Sequence, residues 1–178
     1  MQPSNQRFEI FRSILERLPK GPLVDLGAGH CLFTQAAREM GFEATAVDAR
    51  TERVPEGFTG FIHADVRGFD PSPYSIVCIL GLFYHLTLED QLSLLDRCRG
   101  KIVIVDTHTA RSAELNRGGY WGRDWEEVES PRSSVGNRLS FWHTEASLRC
   151  AFEDNGFRAE KIEPEHAPGR AFWLLSRA

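Results

Sequence analysis

Leu23-Val24-Asp25-Leu26-Gly27-Ala28-Gly29-His30-Cys31-Leu32-Phe33-Thr34 runs apolar, breaks at two glycines and resumes with helical periodicity, so it reads as strand, tight turn and helix. Gly27 and Gly29 lack a Cβ, which lets the backbone turn sharply and lie close to a ligand at the exposed amides of the following helix. Asp48 follows Gly29 by nineteen residues, at the end of a second apolar strand, Phe42 to Val47. An acid about 20 residues past the glycine turn is where a doubly wound sheet offers a carboxylate to a ribose diol.

A dinucleotide fingerprint wants a third glycine three residues after the second, where this chain has Leu32, and this weakens a dehydrogenase reading. In its place stands Asp25-Leu26-Gly27-Ala28-Gly29, which resembles the first motif of class I S-adenosylmethionine (SAM) dependent methyltransferases. Thr59 to Val66 looks like a third strand, and Asp65-Val66 at its end resembles the family position where a carboxylate meets the adenine amino group. Tyr74 to Leu80 is a nearly continuous apolar run, as in a central parallel strand buried on both faces. It ends in Gly81-Leu82-Phe83-Tyr84-His85-Leu86, which resembles the fourth motif of small-molecule methyltransferases and of the tRNA wobble-uridine modifying group.

The resemblance implies an α/β, Rossmann-like, doubly wound sheet of seven strands, mostly parallel with the last strand antiparallel. It implies SAM as cofactor, held by Asp25, Gly27, Ala28 and Gly29 at the turn, by Asp48 and Ala49 after the second strand, by Asp65 and Val66 after the third, and by Leu80 and Gly81 after the fourth.

The remaining segments fit that outline. Phe8, Phe11, Ile14, Leu15 and Leu18 make one helical stripe, and Leu32, Phe33, Ala36, Ala37 and Met40 make another that Gly41 ends. Ala49 to Phe58 is too short and too charged for a full crossover helix. Thr87, with Asp90 three residues on, opens a helix buried through Leu88, Leu92 and Leu95. Lys101 to Asp106 is a fifth strand, Thr144 caps a last helix that stops at Asn155-Gly156, and Phe157 to Glu163 with Arg170 to Ser176 close the sheet as a hairpin. From Thr109 to His143 no regular pattern is sustained, although the segment holds three of the four tryptophans. Irregular stretches longer than about 15 residues are usually functional or disordered, and this one is too aromatic for disorder. It reads as an insertion or lid at about 109–143 in one domain spanning 1–178, with Gly118-Gly119 and Gly122 allowing hinge motion; an arm for homodimerisation is the alternative.

Composition argues against several function classes. A net charge of −4 gives no overall electrostatic footprint for wrapping a nucleic-acid backbone, although it leaves room for a local basic patch. No run approaches the ~20 apolar residues of a membrane span and no charged-then-apolar leader opens the chain, so a cytoplasmic protein is expected. Cys31, Cys78, Cys98 and Cys150 are widely spaced within helix or strand patterns and read as buried free thiols.

Methyl transfer from a sulfonium is an in-line displacement, so the protein has to align donor and acceptor and exclude water. For a hydroxyl acceptor the candidate bases are His108, His85 and His143. His108 ranks first, because Asp106 lies on the same face of the strand and is placed to orient it. Asp106 and His108 with Glu145 form a weaker candidate site for a divalent metal. Tyr84, Tyr120, Trp121, Trp125 and Trp142 are the candidate acceptor contacts, since aromatic faces stack on sugar rings. Thr109 to His143 carries five Arg and five Asp or Glu, a balance that favours a small polyhydroxylated acceptor and O-methylation. A tRNA wobble-base modifying enzyme and a non-catalytic SAM-binding partner subunit are the rival readings.

Overall fold

The computed structural model of the chain describes residues 5–128, 130 and 133–178. Five strands come first: β1 (Pro22–Leu26), β2 (Glu43–Asp48), β3 (Phe61–His63), β4 (Ile76–Leu80) and β5 (Ile102–His108). Three more follow, β6 (Leu115–Arg117), β7 (Tyr120–Glu126) and β8 (Leu139–His143), and a hairpin of β9 (Phe157–Ala167) and β10 (Arg170–Arg177) closes the chain. The helices are α1 (Asn5–Glu16), α2 (Leu32–Glu39), α3 (Leu88–Arg97) and α4 (Glu145–Asp154).

Seven strands form one sheet in the order β3-β2-β1-β4-β5-β10-β9. β1 to β5 pair in parallel, and β10 runs antiparallel to both β5 and β9, so the expected doubly wound sheet with a reversed last strand is present. Successive strand side chains point to opposite faces. Val24, Val77, Ile79 and Val103 therefore pack on the α3–α4 side, with Leu94, Leu95, Leu148 and Phe152. Leu23, Ile76, Cys78 and Ile104 pack on the α1–α2 side, with Phe11, Ile14, Phe33 and Ala37. Each such apolar side chain stabilises the fold by ~1.5–3 kcal/mol when fully buried. Both capping expectations hold: Thr87 Oγ1 accepts from the Asp90 amide at 3.2 Å, and Thr144 Oγ1 from the Ser147 amide at 3.3 Å.

Four expectations need correction. The third strand is three residues long, because Gly60 turns the backbone with φ 67 before it and the Asp65 carboxylate takes the Arg67 amide after it. The segment after β5 is not irregular: β6, β7 and β8 form an antiparallel sheet of their own. Its glycines are not hinges, since Gly118 and Gly119 make the tight β6–β7 turn and a Cβ on Gly122 would stand 2.2 Å from the Trp142 carbonyl oxygen. Cys31, Cys78 and Cys98 are buried free thiols as expected, but Cys150 is exposed.

The small sheet is pinned to the large one. Phe141 donates its amide to the Leu86 carbonyl at 3.0 Å, and the buried Gln91 amide group donates to the carbonyls of Phe83, Leu86 and Phe141. No helix among the described residues is long and apolar enough to cross a membrane.

Candidate active site

The chain reverses its winding direction between β1 and β4, and in open α/β sheets ligands sit outside the carboxyl ends of the strands at such a point. The Gly27 turn leaves β1 there and the Gly81 turn leaves β4 beside it. Gly27, with φ 73, donates to the Val47 carbonyl at 2.8 Å, and a Cβ on it would lie 3.1 Å from Leu82. Asp48, at the end of β2, accepts from the Gly29 amide at 2.8 Å and the Arg50 amide at 2.9 Å. Its carboxylate is thus fixed in orientation and keeps lone pairs for a further donor.

Two adjoining hollows share Gly27, Gly81, Arg53 and His85. The first is narrow and is lined by Asp48, Ala49, Asp65 and Val66; the second, of about 410 Å³, is lined by Ala28, Gly29, Leu80, Tyr84 and Arg170. The turn and strand-end residues expected at the cofactor thus come together, with one exception. Asp25 is buried beneath the loop, where Thr34 Oγ1 donates to it at 2.8 Å, so it braces β1 against α2 and does not line either hollow. Burial pushes its carboxyl up to about 7, and the charge of Asp48 adds to the shift.

The three candidate bases part company. His85, on a single 3₁₀ turn after Gly81, sets Nδ1 2.9 Å from Glu127 Oε1. Glu127 lies just past β7, is nearly buried, and also accepts from Ser140 Oγ at 2.8 Å and the Ser134 amide at 3.1 Å. An acceptor on Nδ1 leaves the His85 lone pair on Nε2, which has no hydrogen-bond partner among the described residues.

His108 is held differently. Asp106 does not reach it, because that carboxylate is taken by His166 at 2.8 Å, by Arg170 at 2.8 and 2.9 Å, and by Arg7. Arg170 donates instead to His108 Nε2 at 3.3 Å. Burial first, then the Arg170 charge, lower His108 to about 4. The expected orientation of His108 by Asp106 is therefore corrected: the acid serves two guanidiniums and a different imidazole. Burial raises the Asp106 pKa, yet the His166 hydrogen bond and the charges of Arg170 and Arg7 outweigh it and hold the group well below the usual carboxylate range.

His143 faces the core. Its Nε2 meets Gln91 Oε1 at 2.8 Å and its Nδ1 meets Ser147 Oγ at 3.0 Å, and burial lowers its pKa to about 3. Both nitrogens are spent, so the catalytic expectation for His143 is corrected to a structural one.

The suggested metal set does not assemble either. Glu145 binds Lys161 at 2.8 Å, Asp106 is ion-paired, and no group of three or more His, Cys, Asp or Glu among the described residues is arranged to hold a metal.

Of the aromatic candidates, Tyr84 lines the larger cleft. Trp142 stacks on His108 at 5.2 Å and on Trp125 at 4.6 Å, behind the cleft wall. Tyr120 donates to Asp154 at 2.9 Å, Trp121 is half exposed, and neither of these two expected acceptor contacts lines the cleft. The segment expected to cover the acceptor instead lies by the narrow hollow: Arg50 donates to the Ser133 carbonyl at 2.8 Å and Arg67 to Ser134 Oγ at 3.2 Å.

Sequence reasoning missed Arg7, Arg53, Glu127 and Arg170. None sits in a local motif, and each reaches the site from a different part of the chain. Gln91 did leave a signal, as a polar residue on the apolar stripe of α3 that had to find partners when buried.

No family model matches the sequence, and no curated protein matches it. Solved structures do resemble the fold. The N-terminal domain of EvdMO1 with S-adenosylhomocysteine (SAH) bound is similar with a TM-score of 0.80 at 23% identity, over 98% of this chain and 82% of that one. The same domain in the presence of SAH and D-fucose gives 0.79 at 22%, over 99% and 84%. The 1,6-didemethyltoxoflavin-N1-methyltransferase of Burkholderia thailandensis, with that substrate and SAH, gives 0.65 at 17%, over 96% and 75%. At these identities the likeness establishes that the chain has the fold of these SAH-binding proteins.

Proposed function

We propose that this chain is a SAM-dependent methyltransferase that methylates a hydroxyl of a small polyhydroxylated acceptor, with His85 as the general base. The observation that carries the reading is the meeting of the Asp48-anchored glycine turn and the His85–Glu127 pair at one switch-point cleft. The residues fit the cofactor: Gly27 leaves room that a Cβ would fill against Leu82, and Asp48 keeps lone pairs for a ribose diol. When bound, SAM supplies an electrophilic methyl group on a sulfonium.

The chain's own part is positioning and proton management. Tyr84 and Arg170 wall the cleft, and Ser133 and Ser134, tied to Arg50 and Arg67, line the adjoining narrow hollow. His85 Nε2 takes the hydroxyl proton as the oxygen gains its methyl, and Glu127 stabilises the imidazolium through Nδ1. The D-fucose used with the similar EvdMO1 domain supports a sugar-like acceptor. The similar toxoflavin enzyme acts at nitrogen, so the atom methylated has to be read directly.

Incubation with methyl-labelled SAM and a panel of sugars and sugar derivatives tests the proposal, with label expected on an acceptor oxygen. Label on tRNA alone favours the wobble-base reading, and SAM binding without transfer to any acceptor favours a partner subunit.

A further inference from the structure

The larger cleft has an unbalanced wall. Arg7, Arg53 and Arg170 line it, and among the described residues no Asp or Glu does. Asp106, behind the wall, ion-pairs with both Arg7 and Arg170. The acids of the adjoining hollow are engaged: Asp48 with the Gly29 and Arg50 amides, Asp65 with Arg67. Glu127 is engaged with His85.

Arg53 is the unspent group. It makes no hydrogen bond or ion pair with any described residue, and its Nε is sealed from solvent without a partner. It lies across the glycine turn, so that a Cβ on Gly29 would stand 3.4 Å from its Nη2. A guanidinium has five N–H donors and no acceptor, and Arg53 spends none of them on a described residue, which leaves those that face the cleft for a ligand oxygen. SAM does not supply the missing charge, since its ammonium and carboxylate cancel and its sulfonium adds a further positive charge.

We propose that the acceptor carries a carboxylate or phosphate group and that Arg53 receives it at the wall of the cleft. This deepens the methyltransferase reading and rests on it. The acceptor is then an acidic, hydroxyl-rich small molecule, and its anion lowers the repulsion between the sulfonium and the arginine wall.

The test follows the Arg53 Nε–H resonance by ¹⁵N NMR in SAH-saturated protein during titration with inorganic phosphate and, separately, acetate. A saturable millimolar shift of the resonance that Arg53→Gln removes, and so assigns, is expected with either anion, and the anion giving the tighter response distinguishes phosphate from carboxylate. Arg53→Gln should keep its affinities for SAH and for 5′-methylthioadenosine, which lacks the carboxylate, within about threefold of wild type. No shift with either anion overturns the proposal. So does a loss of SAH affinity of about tenfold or more with 5′-methylthioadenosine unaffected, because Arg53 then serves the cofactor's own carboxylate. If SAH does not bind wild type, the methyltransferase reading fails by itself. The same titration of ligand-free protein then decides the anion site: a shift at Arg53 keeps it and silence removes it.

Discussion

His85 Nδ1 lies 2.9 Å from Glu127 Oε1, joining a turn at the end of the large sheet to a carboxylate held by the small one. In the proposed mechanism the carboxylate orients the imidazole and the imidazole takes the proton. The pair exists because β8 is pinned to Leu86, next to His85, and Ser140 on that strand donates to Glu127 at 2.8 Å. The small sheet therefore positions the carboxylate that meets His85.

His85→Ala should lower turnover by ~10²–10⁴-fold, the usual contribution of a positioned base, with SAH affinity nearly unchanged. Glu127→Gln should lower it less, by about tenfold to a hundredfold, as expected when an imidazole loses its orienting carboxylate. Steady-state kinetics on the true acceptor measures both. Unchanged turnover in His85→Ala removes the base assignment.

Asp48→Ala should weaken SAH binding by roughly 1.5–3 kcal/mol, the value of hydrogen bonds to a charged group. Calorimetry reads the change, and circular dichroism checks that the fold survives loss of the bonds to Gly29 and Arg50. Wild-type affinity in a folded variant takes Asp48 out of the site.

His143→Ala should cost about 2–4 kcal/mol of stability, because it leaves a cavity beside unsatisfied groups of Gln91 and Ser147. Its folded pKa of about 3 lies below the ordinary 6.5, so this histidine's contribution is full above pH 6.5 and is lost as pH falls toward 3. Denaturant titrations across that window should show a steeper acid loss in wild type than in the variant. A drop in turnover per folded molecule, with stability unmoved, would reverse the structural assignment.

Asp25 has the opposite linkage. Its folded pKa of about 7 is raised above the ordinary 3.8, so its stabilising effect is complete below pH 3.8 and fades as pH rises through 7. Asp25→Asn keeps an acceptor for Thr34 and has no such proton, so it should gain on wild type by roughly 2–4 kcal/mol between pH 4 and 8. A constant difference between the two proteins across that range contradicts the buried, proton-holding carboxyl.

What the sequence made legible was local. The glycine turn, the strand-end acid, the apolar central strands and the Thr87 and Thr144 caps each announce themselves within about twenty residues. The small sheet did not, because β7, Tyr-Trp-Gly-Arg-Asp-Trp-Glu, is partly exposed on both faces and has no alternating pattern. The expected orientation of His108 by Asp106 failed for a related reason. Asp106 and His108 do share a face of β5, but Arg7 and Arg170, from opposite ends of the chain, claim the carboxylate first. Partner choice among charged groups is settled by tertiary proximity, which spacing in one strand does not reveal.

The central claim is that the cleft between Gly27 and Gly81 is a SAM site. Titration calorimetry of the full chain with SAH addresses it most directly. The account predicts saturable one-to-one binding that is weakened in Asp48→Ala and is not displaced by NAD. Absence of binding at millimolar SAH, or displacement by NAD, would contradict it.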